Sequence, residues 1–135
     1  MKIKIKGRYS KGTEFSSGID LYSDEDCNIL SFSTKVISTG VAVELPYPVD
    51  AQIRPRSSMS KKGILTHFGT IDNDYRGDLG VCLTNLSPMM IRIQKGDRIA
   101  QLVFSRLLEH IELEPVTDIS TETIRGEGGW GSTGV

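Results

Sequence analysis

The chain has 135 residues, a net charge of −1 and 24% charged residues. That length sets one domain, large enough to bury a core without staples. The charge excludes a non-specific nucleic-acid binder, which would carry a basic excess. Any anionic ligand must therefore be met by a few local arginines. Cys27 and Cys82 are the only cysteines. Neither belongs to a CxxC pair or has a His at metal-ligand spacing, so both read as free, mostly buried thiols of a reducing compartment. Met1 to Lys6 lacks the apolar stretch of a secretory signal, and no apolar run approaches the ~20 residues that cross a bilayer. The reading is a soluble, intracellular, cytoplasmic protein with no membrane contact and no direct nucleic-acid binding.

In chain order, Ile3 and Ile5 alternate with lysines, the period of a strand with one wet face. A polar loop runs from Gly7 to Gly18. Gly18-Ile19-Asp20-Leu21-Tyr22 then starts a strand, with Asp20 between apolar neighbours; a loop-to-strand cap explains it as turn chemistry. Short strand candidates follow at Cys27 to Leu30, Lys35 to Ile37, Val41 to Leu45 and Asp50 to Arg54, punctuated by Gly40, Pro46 and Pro48. Many short strands with such breaks predict an all-β barrel or sandwich.

Pro55 to Gly63 is the one good helix candidate. Ser57 or Ser58 can cap its start and Gly63 is placed to stop it. A one- or two-turn helix is marginal alone. Its N-terminus, beside two hydroxyls and Arg56, offers an anion seat; a capped connector is the simpler reading.

Between the apolar runs Ile64-Leu65 and Leu79 to Leu83 lies Gly69-Thr70-Ile71-Asp72-Asn73-Asp74-Tyr75-Arg76-Gly77-Asp78. Asn, Asp and Gly between apolar runs predict a turn joining two strands. Turn chemistry alone explains Asp72, Asn73 and Asp74. The same turn crowds carboxylates, an arginine and a tyrosine together. A carboxylate on a rigid hairpin can act as a general base, and Tyr75 can pack on a ring-shaped ligand.

Met90 to Ile93 is a further strand, Lys95-Gly96-Asp97 a tight turn, and Arg98 to Phe104 a strongly apolar strand. Gln101 lies deep inside that run. Its amide must find partners or cost roughly 1–3 kcal/mol; those partners are backbone first, a ligand second. Ile111 to Leu113 is one more strand candidate. His110 reads as structural, and His67 receives no role. Residues 123–135 form a glycine-rich arm after a body of residues 1–122. The arm holds the only Trp, between an arginine and a Ser-Thr pair. A stacker, a cation and two hydroxyls on a loose arm suit a lid over an aromatic phosphorylated ligand.

Three motif matches fail. Gly126 to Gly131 fits GxGxxG, but no helix follows. Asp72 to Gly77 opens like a calcium loop, but Arg76 takes a ligand position and Leu83 stands where the bidentate Glu belongs. Asn85-Leu86-Ser87 is a glycosylation sequon without secretion.

Five separated segments together resemble one family in order. They are Gly18 to Leu21, Pro55 to Ser58, Gly69 to Gly77, Gly96 to Gln101 and Arg125 to Gly134. The chain is similar to the trimeric dUTPases. The resemblance implies a jelly-roll-like β-barrel of the β-clip type and a homotrimer with shared active sites. It implies hydrolysis of dUTP to dUMP and pyrophosphate with Mg²⁺, by in-line attack of a water on the α-phosphate. That activity would limit uracil in DNA and supply dUMP for dTMP synthesis. It implies that Asp72 deprotonates the water and that Asp20 meets the metal through water. Tyr75 would lie under the deoxyribose. Arg56, Ser57, Ser58 and Gln101 would hold phosphate oxygens. Gly69, Thr70, Ile71 and Gly80 would lend backbone to the uracil. Arg125, Ser132 and Thr133 would bind the outer phosphates, and Trp130 with Gly131 would cap the base.

Two positions depart from the pattern. Trp130 stands where the family's arm usually carries Phe. Thr66 stands where some relatives have Asn, and is carried as a candidate uracil contact. Two other classes remain open. One is a dCTP deaminase on the same barrel, which ammonia release would reveal. The other is a binding module whose nucleotide pocket switches a regulatory protein partner.

Overall fold

The computed structural model describes residues 1–109, 111–131 and 134. Its elements are β1 (Lys4–Lys6), β2 (Tyr9–Ser10), β3 (Gly18–Tyr22), β4 (Cys27–Ile29), β5 (Thr34–Ser38), β6 (Ala42–Glu44) and β7 (Val49–Arg54). They continue with α1 (Ser57–Lys61), β8 (Ile64–Thr66), β9 (Gly69–Ile71), β10 (Gly80–Asn85), β11 (Ile91–Ile93) and β12 (Arg98–Arg106). All strand pairs are antiparallel. The ladders run β2-β3-β12-β7-β9 and β5-β10-β8, with two-stranded ribbons β1-β6 and β11-β4. This is the all-β, clip-like architecture expected from the sequence. The ladders wrap a shared core, but among the described residues they stay four separate sheets.

Alternation decides which side of each strand is core. In β7, Val49, Ala51 and Ile53 are buried while Asp50, Gln52 and Arg54 are half-buried on the other face. In β10, Val81, Leu83 and Asn85 point inward. These join Leu21, Ile37, Val41, Leu79, Ile99 and Leu102 in one cluster. Each Val, Leu or Ile among them contributes about 1.5–3 kcal/mol on burial. Asn85 is the polar exception. Its amide donates to the carbonyls of Ile29 (3.0 Å) and Met89 (2.7 Å), and its Oδ1 accepts from the Ser87 N–H (2.9 Å). It is fully buried, so the sequon is also closed to a glycan.

Four local expectations are corrected. Tyr9–Ser10 inside the presumed Gly7–Gly18 loop pairs with β3, a two-residue strand too short to show a period. The stretch 69–78 is not one turn, because Gly69–Ile71 forms β9 and pairs with β7. Strands β8 and β10 are still antiparallel neighbours, as the hairpin reading required. Helix α1 is capped by Arg56 in extended conformation with no side-chain cap, not by Ser57 or Ser58. Its stop is as expected: Gly63 sits at φ +79°, and its N–H donates to the Ser60 carbonyl (3.0 Å). Finally, Ile111 to Leu113 forms no strand. Both ends are largely exposed, and no neighbouring strand offers them a ladder. His110 lies outside the described residues.

Candidate active site

The expected site residues fall into three groups in one protomer. The first gathers at one end of the β3-β12-β7 ladder, where Asp20, Gln101 and Arg54 are paired side by side. Asp20 is mostly buried, with its carboxylate between two arginines. Arg56 Nε donates to Oδ1 at 3.0 Å, and Arg98 Nη1 lies 3.5 Å from Oδ2. Arg56 also donates from Nη1 to Ser58 Oγ (3.1 Å). Ser57 and Ser58 are exposed beside it. Gln101 Nε2 donates to the Pro55 carbonyl (3.0 Å), the backbone partner that its sequence position demanded. Gly18 makes room for that side chain: a Cβ there would sit 2.8 Å from Gln101 Oε1. The result is a compact cationic seat opening onto a hollow lined by Arg56, Ser58, Lys62, Arg92 and Arg98.

The second group is the turn after β9. Asp72 is exposed, and its carboxylate has no hydrogen-bond or ion-pair partner among the described residues. The backbone beneath it is tightly held. Asn73 Nδ2 lies 2.7 Å from the Val49 carbonyl, 3.2 Å from that of Pro46 and 3.3 Å from that of Leu45, tying the turn to the β6–β7 loop. Arg76 Nη1 donates back to the Asn73 carbonyl (2.7 Å), and Tyr75 Oη donates to the Asp78 carbonyl (2.9 Å). Tyr75 keeps one part of its ring exposed. Gly77 packs against that ring so closely that a Cβ would overlap it. Asp78 accepts from Ser38 Oγ (2.9 Å), joining the turn's far side to β5.

The glycines of this region have reasons within the chain. A Cβ on Gly69 would press on Ile53, and one on Gly80 would lie 2.9 Å from Val36 Cγ1. Thr70 is exposed in β9 and Ile71 is buried. Thr66 is also buried, and its hydroxyl has no hydrogen-bond partner. His67, given no role from the sequence, shares a hydrogen bond with Thr84 Oγ1 (2.7 Å) on the outer face of β10.

The third group is the tail. Beyond Glu109, no described residue hydrogen-bonds to the body. Arg125 Nε donates to the Gly128 carbonyl (2.6 Å), a bond within the arm. Trp130 is fully exposed at φ +50°, and Gly131 is exposed beside it. Ser132 and Thr133 lie outside the described residues.

Among the described residues no hydrogen bond or ion pair joins these three groups. Asp20 and Asp72 are three ladder steps apart across the sheet, and the pairings put Ile71 opposite Ala51, so that Asp72, one residue further, lies four residues along β7 from Arg54. With standard strand spacings that is about 14 Å across and about 13 Å along, or roughly 19 Å in all. A general base must reach its proton directly or through one water. Laid out along the ladder, Asp72 and Asp20 of one chain are separated by more than that reach.

Two supporting residues escaped the sequence reading, Arg98 and Asn73. Arg98 opens an apolar strand, which reads as an ordinary solvated end. Asn73 reads as a turn former. Only the pairing of β12 with β3, and the approach of the 45–49 loop, give them partners. Cys27 is free and half-buried, and burial pushes its thiol above the usual range despite Lys35 nearby. It is no candidate nucleophile. Cys82 is likewise free and half-buried.

A cationic seat, a fastened turn bearing an uncommitted carboxylate and an arm with an exposed tryptophan stand on an all-β, clip-like fold. The dUTPase family model matches residues 8–134. A deoxyuridine 5'-triphosphate nucleotidohydrolase of Rickettsia akari is 46% identical over 128 residues, covering 91% of this chain and 85% of that protein. The dUTPase of Staphylococcus bacteriophage 80alpha, solved as a G164S mutant with dUpNHpp, superimposes with a TM-score of 0.91 at 27% identity over 99% of both chains. A second structure of that phage dUTPase with the same analogue aligns with a TM-score of 0.90, again at 27% identity and 99% coverage of each. That work describes phage dUTPases as controlling transfer of virulence genes by a proto-oncogenic G protein-like mechanism. The chain belongs to the dUTPase family.

Proposed function

We propose that this chain hydrolyses dUTP to dUMP and pyrophosphate in a homotrimer whose active sites each combine residues of different subunits. The observation that carries this is the exposed Asp72 carboxylate on a turn that Asn73, Tyr75 and Arg76 hold still. The roughly 19 Å between Asp72 and Asp20 supports the shared site, since a neighbouring copy must bring the turn to the phosphate seat.

In the reaction a water oxygen forms a bond to the α-phosphorus, in line with the bridging oxygen to the β-phosphate. Its proton passes to Asp72. The bond to the bridging oxygen breaks, and pyrophosphate carries away the electron pair. A positioned base contributes about 10²–10⁴-fold. Arg56, Ser57, Ser58 and Gln101 seat phosphate oxygens, and their fixed geometry supplies orientation and charge neutralisation. Gly69, Thr70, Ile71 and Gly80 present strand backbone to uracil, whose pairing edge differs in polarity from cytosine's. A mismatch leaves buried groups unpaired. Tyr75 lies against the deoxyribose. Arg125 and Trp130 come from the arm, with Gly131, Ser132 and Thr133 completing it over the base and outer phosphates. Thr66, buried at the end of β8 with an unpartnered hydroxyl, is carried as a candidate uracil contact.

Magnesium fits this site in one manner. Among the described residues no three His, Cys, Asp or Glu side chains converge as a cage. Asp20 is a single carboxylate already shared by two arginines. Magnesium keeps several waters and binds through one or two carboxylates plus substrate phosphates. Asp20 would therefore meet, through water, a metal carried on the triphosphate, where the metal offsets phosphate charge.

The test is pyrophosphate release across the deoxynucleoside triphosphates. We expect release from dUTP alone, without ammonia from dCTP. No release from dUTP in the presence of magnesium would overturn the reading. This activity would limit uracil incorporation into DNA and provide dUMP for dTMP synthesis, in a soluble cytoplasmic enzyme. A second reading is favoured by the phage 80alpha relative: the nucleotide-bound state also switches a regulatory protein partner. Pull-downs with and without dUpNHpp test it, and identical captures would reject it.

A further inference from the structure

The ion pairs around Asp20 pose a conflict. Arg56 is needed at a phosphate, yet it holds Asp20 at 3.0 Å and spends Nη1 on Ser58. A mostly buried carboxylate abandoned by its partner is costly, because the charge then lacks both water and a counter-ion. Arg98 resolves this. Its Nη1 lies 3.5 Å from the other Asp20 oxygen, and its carbonyl lies 3.4 Å from Arg56 Nη1. A register shift in the β12-β3 ladder falls between Arg98 and Ala100, so the strand bends where it presents this side chain. About half exposed, Arg98 also lines the hollow beside Arg56.

We propose that Arg98 is a positioning residue. It keeps Asp20 paired and in place when Arg56 turns to the triphosphate, so that phosphate binding does not strand a carboxylate. The inference rests on the dUTP-hydrolysing reading above. It assigns Arg98 no contact with substrate, and its effect runs entirely through Asp20.

That dependence makes a double-mutant cycle decisive. Full-length wild type, R98Q, D20N and the double variant are compared in two measurements. These are the Kd for dUpNHpp by calorimetry in EDTA, and kcat/KM for dUTP with magnesium. Removing a charge-assisted partner should lower kcat/KM and affinity by about 10–100-fold in R98Q. In the D20N background the same change should cost less than about twofold, since non-additivity marks residues acting as one unit. An undiminished loss on D20N would overturn the proposal, because Arg98 would then act on the substrate or the fold directly. An R98Q enzyme that behaves as wild type would overturn it as well. Should R98Q fail to fold, R98K carries the same cycle: its loss, smaller than that of Gln, must vanish on D20N. Wild type inactive on dUTP would instead sink the underlying reading, a separate outcome.

Discussion

The turn that carries Asp72 and the arm that carries Trp130 have similar compositions, both rich in glycine and polar residues. They behave in opposite ways. The turn is fastened from within by Arg76 and Tyr75 and from outside by Asn73 on the 45–49 loop. Among the described residues the arm has only bonds to itself, and apolar side chains before and within it, among them Leu113, Ile119 and Ile124, are exposed. What separates the two is not residue type but whether another segment supplies acceptors. A fixed turn suits a base that must hold one geometry. An unfastened arm suits a cover that must come and go.

The comparison can be broken most sharply at Asp72. D72N should lower kcat by about 10²–10⁴-fold while dUpNHpp binds with near wild-type affinity, measured by calorimetry. Wild-type turnover would remove Asp72 from the chemistry. Next in size is Asn73. N73A strips the turn of its outside fastening and should cost about 1–3 kcal/mol of stability in denaturant melts, together with a fall in kcat. An unchanged melt would show that the 45–49 loop does not hold the turn.

Trp130 tests the other side of the contrast. W130A should weaken dUpNHpp binding by roughly 1–3 kcal/mol and leave the melting temperature unmoved, because the ring touches nothing in the body. The indole emission of the wild type should shift on saturation with the analogue, and a constant spectrum would count against stacking. The smallest expected effect concerns Cys27. Its pKa is raised by burial, so the reactive thiolate stays scarce until pH climbs past the usual thiol range. Iodoacetamide should modify it more slowly at pH 8 than a free model thiol, by mass spectrometry, and activity should survive.

Much of this was legible wherever the signal was local. Gly63 as a helix stop, the strand over Asp50 to Arg54 after its proline breaks and the backbone partner of Gln101 all follow from a few neighbouring residues. Pairings between distant segments were not legible. Nothing in the sequence around Arg98 announces that β12 lies beside β3, and so Asp20 had no visible counter-ion. The Ser57 and Ser58 caps failed for a related reason. Arg56 takes the cap position in extended backbone, with its side chain drawn to Asp20 and Ser58. Ile111 to Leu113 is a strand candidate on sequence, but a strand needs a neighbour, and among the described residues none is there. The proposed site residues rest on five ordered segments. Their division into separate clusters was visible only in the ladder.

That division has a genetic corollary. In the proposed shared site, a copy damaged at Asp72 would still donate a sound anion seat, and a copy damaged at Arg56 would still donate a sound base. In the homotrimer proposed above, some hybrids coassembled from two such inactive parents would regain a complete pocket. Activity reborn on mixing the two would measure how often unlike copies sit side by side.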